Sequence, residues 1–376
     1  MRKLGALLII ILAVGMAISS GCIGGGGGTT TPSSTAESVT TTPATSSSSI
    51  ETSTSSPVST TTTETTSTST SAQTTTTTTT TTPTEELYWK NPWEYAPVII
   101  NGNEYKVVYY KIHYKVQPNQ SSPTYEYIVE KSVRKTKIHV YGMDYSGSKV
   151  DLGEKDVYEY TTVVTPKKTA QLKDKLTIKV WYTKEKGDSF IYPWDMGWLG
   201  SMGSYGSSGG DFVGFQFEYR GDKFTFTNPG PFQAGLLPYM DGDTEWMDKV
   251  GEDLTNLYMG WFAVVQLGIW TSWTDKNLAV PQSGVWSDGV HSWEWSTTPD
   301  GTATFSGVKL KLVKAQWKYE GSAEGVSMSG KATFSPSLFL PLEVEGYFSY
   351  ASSETGKTTN VYGYIKVEDL KLEKTG

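Results

Sequence analysis

Most groups that carry strong chemistry are scarce in this sequence. There is one cysteine, Cys22, in 376 residues, so no intrachain disulfide, cysteine zinc site or cysteine redox pair can form. The only histidines are His113, His139 and His291. No two have metal-ligand spacing, and no Gly-x-Ser-x-Gly elbow accompanies them. Each therefore reads as a surface or packed strand residue. Arginine is confined to Arg2, Arg134 and Arg220, against 29 lysines, which leaves few bidentate clamps for phosphate or carboxylate. The formal net charge is -7, opposite to the basic face a nucleic-acid binder needs. Neither a phosphate loop nor a dinucleotide fingerprint is present, which argues against nucleotide chemistry. Asp241, Asp243, Glu245 and Asp248 lack the EF-hand glycine and read as helix capping rather than a calcium loop. No metal and no cofactor is expected.

Long apolar runs are few. Leu4 to Ile18 is 15 residues, short of the roughly 20 a spanning helix needs. Met1-Arg2-Lys3 precedes it and Ser19-Ser20-Gly21-Cys22 follows, the layout of an export signal over residues 1–21. Small residues before Cys22 open that bond to a peptidase, and a thiol is the nucleophile suited to lipidation. Ser-Gly-Cys-Ile-Gly followed by Gly24–Gly28 resembles the lipobox of bacterial and, most closely, archaeal surface lipoproteins. The resemblance covers residues 1–28. It implies cleavage before Cys22, a lipid on its sulfur, and a protein held on the outer face of the cell membrane.

Residues 22–86 carry the anchor site and then a stalk. Between 29 and 84, 42 of 56 residues are Ser or Thr, with four Pro and no Lys or Arg. Such a segment cannot bury enough surface to offset ordering entropy. Its composition matches O-glycosylated stalks. As a coil it spans roughly 40 Å, and extended it reaches about 170 Å, enough to lift a domain through a porous surface layer.

Residues 87–376 form the folded, extracellular part. Alternating β-branched and aromatic stretches predict strands at Tyr105–Val116, Tyr125–Val133, Thr136–Tyr141, Asp156–Val164 and Leu176–Thr183. A hairpin is expected over Phe212–Thr227, turning at Arg220-Gly221-Asp222, and Asn101-Gly102 is a turn signal. Further strands are expected at Thr302–Tyr319, Gly325–Phe334, Leu342–Tyr350 and Val361–Leu370. The fold class is mainly β: an antiparallel sandwich or curved half-barrel, with one central helix and long aromatic-rich loops. The helix is expected to start near Asp243 and to present Trp246, Val250, Leu254, Leu257 and Trp261 as an apolar stripe. Leu338-Phe339-Leu340-Pro341-Leu342-Glu343-Val344-Glu345 and the strands after it resemble the C-terminal hairpin of lipoprotein-carrier folds, curved half-barrels that cradle acyl chains. The resemblance implies that Leu257–Trp270 is a helical plug. It is an analogy of architecture and not of activity.

Three functions are open. The segment 188–300 holds nine of the 13 tryptophans, several in Gly/Ser/Pro-rich loops, where an aromatic ring suits a binding surface. The first reading is a lipid-anchored binding protein that takes a lipid, glycan or hydrophobic peptide. Trp194, Trp198, Trp261, Trp270, Trp293 and Trp295 are its candidate contacts, and packing of this insert as an aromatic lid is the alternative for the same residues. The second is a structural envelope protein that contacts the surface layer or a membrane partner. The third is a carboxylate-based hydrolase. Glu294, between Trp293 and Trp295, is its best single candidate, because flanking aromatics can desolvate a carboxyl; strand alternation instead sends Glu294 to the opposite face from both rings. Asn119-Gln120-Ser121 is an N-glycosylation acceptor pattern on Asn119.

Overall fold

The computed structural model describes residues 98 to 375, with breaks at 168, 171, 187–210, 231, 234, 243–249, 251–253, 255–256, 258–259, 262–276, 322–324, 339–340 and 352–355. The signal, Cys22 and the stalk lie outside the described residues, as do Trp194, Trp198, Trp246 and Trp270.

Antiparallel strands make up most of the described chain. In order they are β1 (Val98–Ile100), β2 (Asn103–Gln117), β3 (Tyr125–Met143), β4 (Lys149–Pro166), β5 (Leu176–Tyr182), β6 (Phe212–Tyr219) and β7 (Asp222–Thr227). Then come β8 (Leu237–Gly242), β9 (Gln282–Ser287), β10 (His291–Phe305), β11 (Val308–Gly321), β12 (Val326–Phe334), β13 (Glu343–Ala351) and β14 (Thr358–Lys374). They form one sheet ordered β4-β5-β6-β7-β8-β3-β2-β14-β13-β12-β11-β10-β9, with β1 paired to β2. Two meanders, β2 to β8 and β9 to β14, are zipped together where β14 pairs with β2.

The first meander bends back on itself. β3 pairs along one edge with β4. Its other edge serves β2 over Tyr109–Val116 and β8 at its far end, through Gly142↔Pro238 and Met143↔Leu237. Strands β3 to β8 thus make a ring, while the sheet as a whole is not a closed barrel. A register shift between His139 and Tyr141 supplies the local bend a bulge provides. The Thr227 hydroxyl ties the seam by donating to the Tyr141 carbonyl at 2.7 Å. The Lys149 ammonium lies 3.7 Å and 4.5 Å from the ring centroids of Tyr141 and Tyr239, a cation–π staple between β4, β3 and β8.

Tight turns behave as their sequences require. Asn101-Gly102 (φ 51 and 76) and Arg220-Gly221 (φ 55 and 91) sit in the left-handed region, the conformation of two-residue hairpin turns. The expected single strand Thr302–Tyr319 is corrected by the same chemistry. Ser306 and Gly307 also have positive φ, 50 and 76, and split the stretch into β10 and β11. Phe305 pairs with Val308 and Ala303 with Leu310, so the turn shifts the alternation by one residue, a slip that a single-strand reading passes over. Conversely, Tyr125–Val133 and Thr136–Tyr141 are one strand, β3. The expected helix start near Asp243 lies outside the described residues, and Asp241 and Gly242, just before it, end β8.

The helix is present at Val250, Leu254, Leu257, Gly260 and Trp261. Spacings of four and three put the first three and Trp261 on one face, and that face packs into the main core. Gly260 permits a close approach to β2, because a Cβ there would meet the Tyr114 hydroxyl and Val116. Tyr114 donates to the Leu257 carbonyl at 2.5 Å, and the Trp261 backbone N–H bonds the same phenol oxygen. Leu257 and Trp261 are four apart, so the phenol stands on a rung of the helix's own ladder. Burial holds the Tyr114 phenol well above its ordinary pKa.

Candidate binding groove

Register places the tryptophan-rich segment. Trp293 and Trp295 on β10 face the core side and are half-buried against it. Across the sheet, Gly284, Trp295, Trp317, Gly330, Gly346 and Gly363 are successive Cα partners. The indole of Trp295 covers Gly284 and that of Trp317 covers Gly330, where any Cβ would collide with the ring. Glycine at these two positions lets the indoles lie flat on the backbone. Trp261 is 0% exposed within the main core. Of the six candidate tryptophans, then, three are packed to different degrees on the core side and three lie outside the described residues.

On the opposite face two rows of side chains run across β9 to β13. One is Val285, Glu294, Lys318, Ser329 and Tyr347; the other is Ser283, Ser296, Gln316, Lys331 and Glu345. Residues two apart on a strand are about 7 Å apart, so the rows leave a trough. Its floor is the backbone of Gly284, Trp295, Trp317, Gly330 and Gly346, and these 15 residues line an open groove of about 730 Å3. Glu294 is exposed on its wall, as alternation requires, so the desolvation that Trp-Glu-Trp suggested is absent.

The groove's charges are held in place. Glu345 accepts from Lys331 at 2.9 Å and from the Tyr362 hydroxyl at 3.1 Å, and the Lys331 bond chiefly keeps its carboxyl below the ordinary range. Lys318 bonds Glu320 at 2.7 Å, and that bond raises its pKa. Tyr364, the register partner of Glu345, donates to Glu343 at 3.0 Å; burial, then that bond, pushes its phenol up to about 12. The Tyr347 and Tyr362 rings lie 5.1 Å apart. Such a wall can hydrogen-bond hydroxyl groups and stack a flat apolar face.

Two polar clusters escaped the sequence reading. Glu159 is buried on β4. It accepts from Arg134 at 2.7 and 2.8 Å and, through its other oxygen, from Trp181 Nε1 at 3.0 Å. Lys131 is 1% exposed and shares its register row with buried Tyr110 and Thr162. The signal was legible: Tyr125, Tyr127, Val129, Lys131 and Val133 are one phase of β3, and a lysine breaks an otherwise apolar face.

Each histidine bonds a carboxylate: His113 to Glu126 at 2.6 Å, His139 to Asp151 at 2.6 Å and His291 to Asp288 at 2.9 Å. Among the described residues no three His, Cys, Asp or Glu are placed to hold a metal ion. Asn119 is half-buried in the β2–β3 turn, where its side-chain oxygen accepts from the Ser121 N–H at 2.9 Å.

No family model matches the chain, and no curated protein does. Among solved structures it is similar to a provisionally assigned lipoprotein of Parabacteroides distasonis ATCC 8503, at 8% identity over 76% of this chain and 100% of that one, with a TM-score of 0.18. At that TM-score the likeness carries no argument about fold or function.

Proposed function

We propose that this protein is a lipid-anchored cell-surface binding protein that holds a glycan in the groove across β9 to β13. The observation that carries the reading is the groove itself: two polar rows over a backbone floor, ending at Tyr347, whose ring is 53% exposed. Sugars present hydroxyls at their edges and an apolar face, and sites that bind small molecules combine a few placed polar groups with aromatic surface. Cys22 with its small-residue flank, and the Thr/Ser stalk behind it, support display on the outer face of the membrane. The choice of glycan over an acyl chain rests on packing. The core side carries Trp261, Phe215, Phe217, Phe334 and Tyr127, all buried in contact with one another's cluster.

Binding is tested by titrating the protein with neutral oligosaccharides. Tyr347→Ala and Gln316→Ala are expected to weaken the complex at unchanged thermal stability, since both lie on the outer face. A panel of neutral and charged glycans that gives no heat and no chemical-shift change sinks the reading. Anchoring is tested separately: Cys22→Ser is expected to move the protein from the membrane pellet to the soluble fraction.

A structural envelope role is the second reading. Val285, Trp286 and Val290, exposed by 78, 54 and 43% at the β9–β10 hairpin, favour it, since clustered apolar residues mark contact surfaces. In-cell crosslinking through a Trp286 photoprobe distinguishes it, by a discrete protein adduct.

A further inference from the structure

The ligand class can be narrowed from the groove's dimensions and charge, on the premise of the glycan reading above. We infer that the groove takes an uncharged, linear glycan of about four sugar units, laid perpendicular to the strands, with Tyr347 stacking the unit at the β13 end.

Direction follows from the register. The two rows run from β9 to β13 along Cα partners, so the trough between them crosses five strands. Neighbouring strands are about 4.8 Å apart, so the rows run about 19 Å across the five strands with their centres about 7 Å apart, a length that matches roughly four sugars laid along them.

Charge follows from the ion pairs. The walls carry Glu294, Glu345, Lys318 and Lys331. Both lysines are already satisfied, Lys331 by Glu345 and Lys318 by Glu320. Glu320 adds a further negative charge beside the wall, and Arg is absent from the lining. Each lysine's charge is already matched by a carboxylate at 2.7 or 2.9 Å, so an acidic glycan meets a wall with no uncompensated positive charge and no arginine clamp, and Glu294 and Glu320 repel it. Hydroxyls need no such exchange: Glu294 and Glu345 accept, Gln316 both donates and accepts, and Ser283, Ser296 and Ser329 do either. Lys331 bonds Oε2 and the Tyr362 hydroxyl bonds Oε1 of Glu345, which fixes the carboxylate's orientation; its remaining lone pairs make it a specificity-determining acceptor.

The test uses the full-length protein in detergent and defined ladders of two to six units. Neutral cellulose-, mannose- and maltose-series oligomers are set against oligogalacturonates of equal length, with Kd read by calorimetry. The expected result is that one neutral series tightens about tenfold from two to four units and then levels, that oligogalacturonates bind at least tenfold more weakly, and that Tyr347→Ala costs about tenfold. Glu345→Gln keeps the shape and one acceptor and is expected to weaken binding less than Glu345→Ala. Tighter binding of the acidic ladder, or affinity independent of length beyond two units, overturns this inference and leaves glycan binding standing. Absence of binding by every ladder overturns both.

Discussion

Gly260→Ala isolates the contact that seats the helix on the sheet. In an exposed helix this change helps by about 1 kcal/mol, because glycine is the poorer helix former. Here the new methyl would lie 2.8 Å from Val116 Cγ2 and closer still to the Tyr114 hydroxyl. Overpacking of this kind costs about 1–3 kcal/mol. Pushing Tyr114 aside also breaks its bond to the Leu257 carbonyl, worth about 1 kcal/mol. The sum is a net loss of about 1–3 kcal/mol, a fall in Tm of about 3–10 °C for a domain of this size. The assay is urea and thermal unfolding of the wild type, Gly260→Ala, Tyr114→Phe and the double variant. Removing the hydroxyl makes room for the methyl, so the double variant should lose less than the two single losses added together. A Gly260→Ala protein as stable as the wild type or more so, with additive double-mutant behaviour, refutes the close approach and leaves only helix propensity.

Arg134→Met strands the buried Glu159 carboxylate with Trp181 and is expected to cost about 2 kcal/mol in chemical denaturation; Arg134 is itself largely exposed, so an unchanged midpoint would show that water replaces it. Acid is expected to destabilise the fold through carboxylates whose native pKa is depressed: Asp288 by His291 and the backbone N–H groups of Val290 and His291, Asp151 by Gly153 and His139, Asp144 by Ser146 and Ser148, Asp211 by Lys184, and Glu345 by Lys331. A depressed folded pKa adds stability that is present above the unfolded value, near pH 4, and is lost as pH falls below it. Urea midpoints measured from pH 7 down to pH 3 should therefore drop below about pH 4.5, and a flat profile contradicts those interactions. Asp288→Asn, which keeps an acceptor for the turn but removes the charge, should reduce the slope.

Much of the sheet was legible because local signals and tertiary demands agree. β2, β5, β6, β7, β12, β13 and β14 fall within a few residues of their expected positions, and the turns at Asn101-Gly102 and Arg220-Gly221 form where Gly tolerates positive φ. The helical stripe Val250, Leu254, Leu257 and Trp261 likewise follows from spacing alone. Where reading failed, the missing information was non-local. β1, β8 and β9 are three to six residues long, too short to display a period, and exist because a neighbouring edge accepts them. Nothing in the order of residues says that β3 serves β2 at one end and β8 at the other.

The groove divides in the same manner. Composition and motif spacing determined by themselves that the chain has no second cysteine for an intrachain disulfide, no nucleotide-loop motif and no histidine pair at ligand spacing, since each depends only on which residues are present and how they are spaced. Alternation also determined that Glu294 faces away from Trp293 and Trp295, a consequence of the pleat. Only the tertiary structure decided which strands stand side by side, and so that Val285, Glu294, Lys318, Ser329 and Tyr347 form one wall and Ser283, Ser296, Gln316, Lys331 and Glu345 the other. Strand register is set by packing of the opposite face, where the indoles of Trp295 and Trp317 lie on Gly284 and Gly330 of the adjacent strands. That complementarity belongs to pairs of residues brought together by strand pairing, and the alternation within one strand does not contain it.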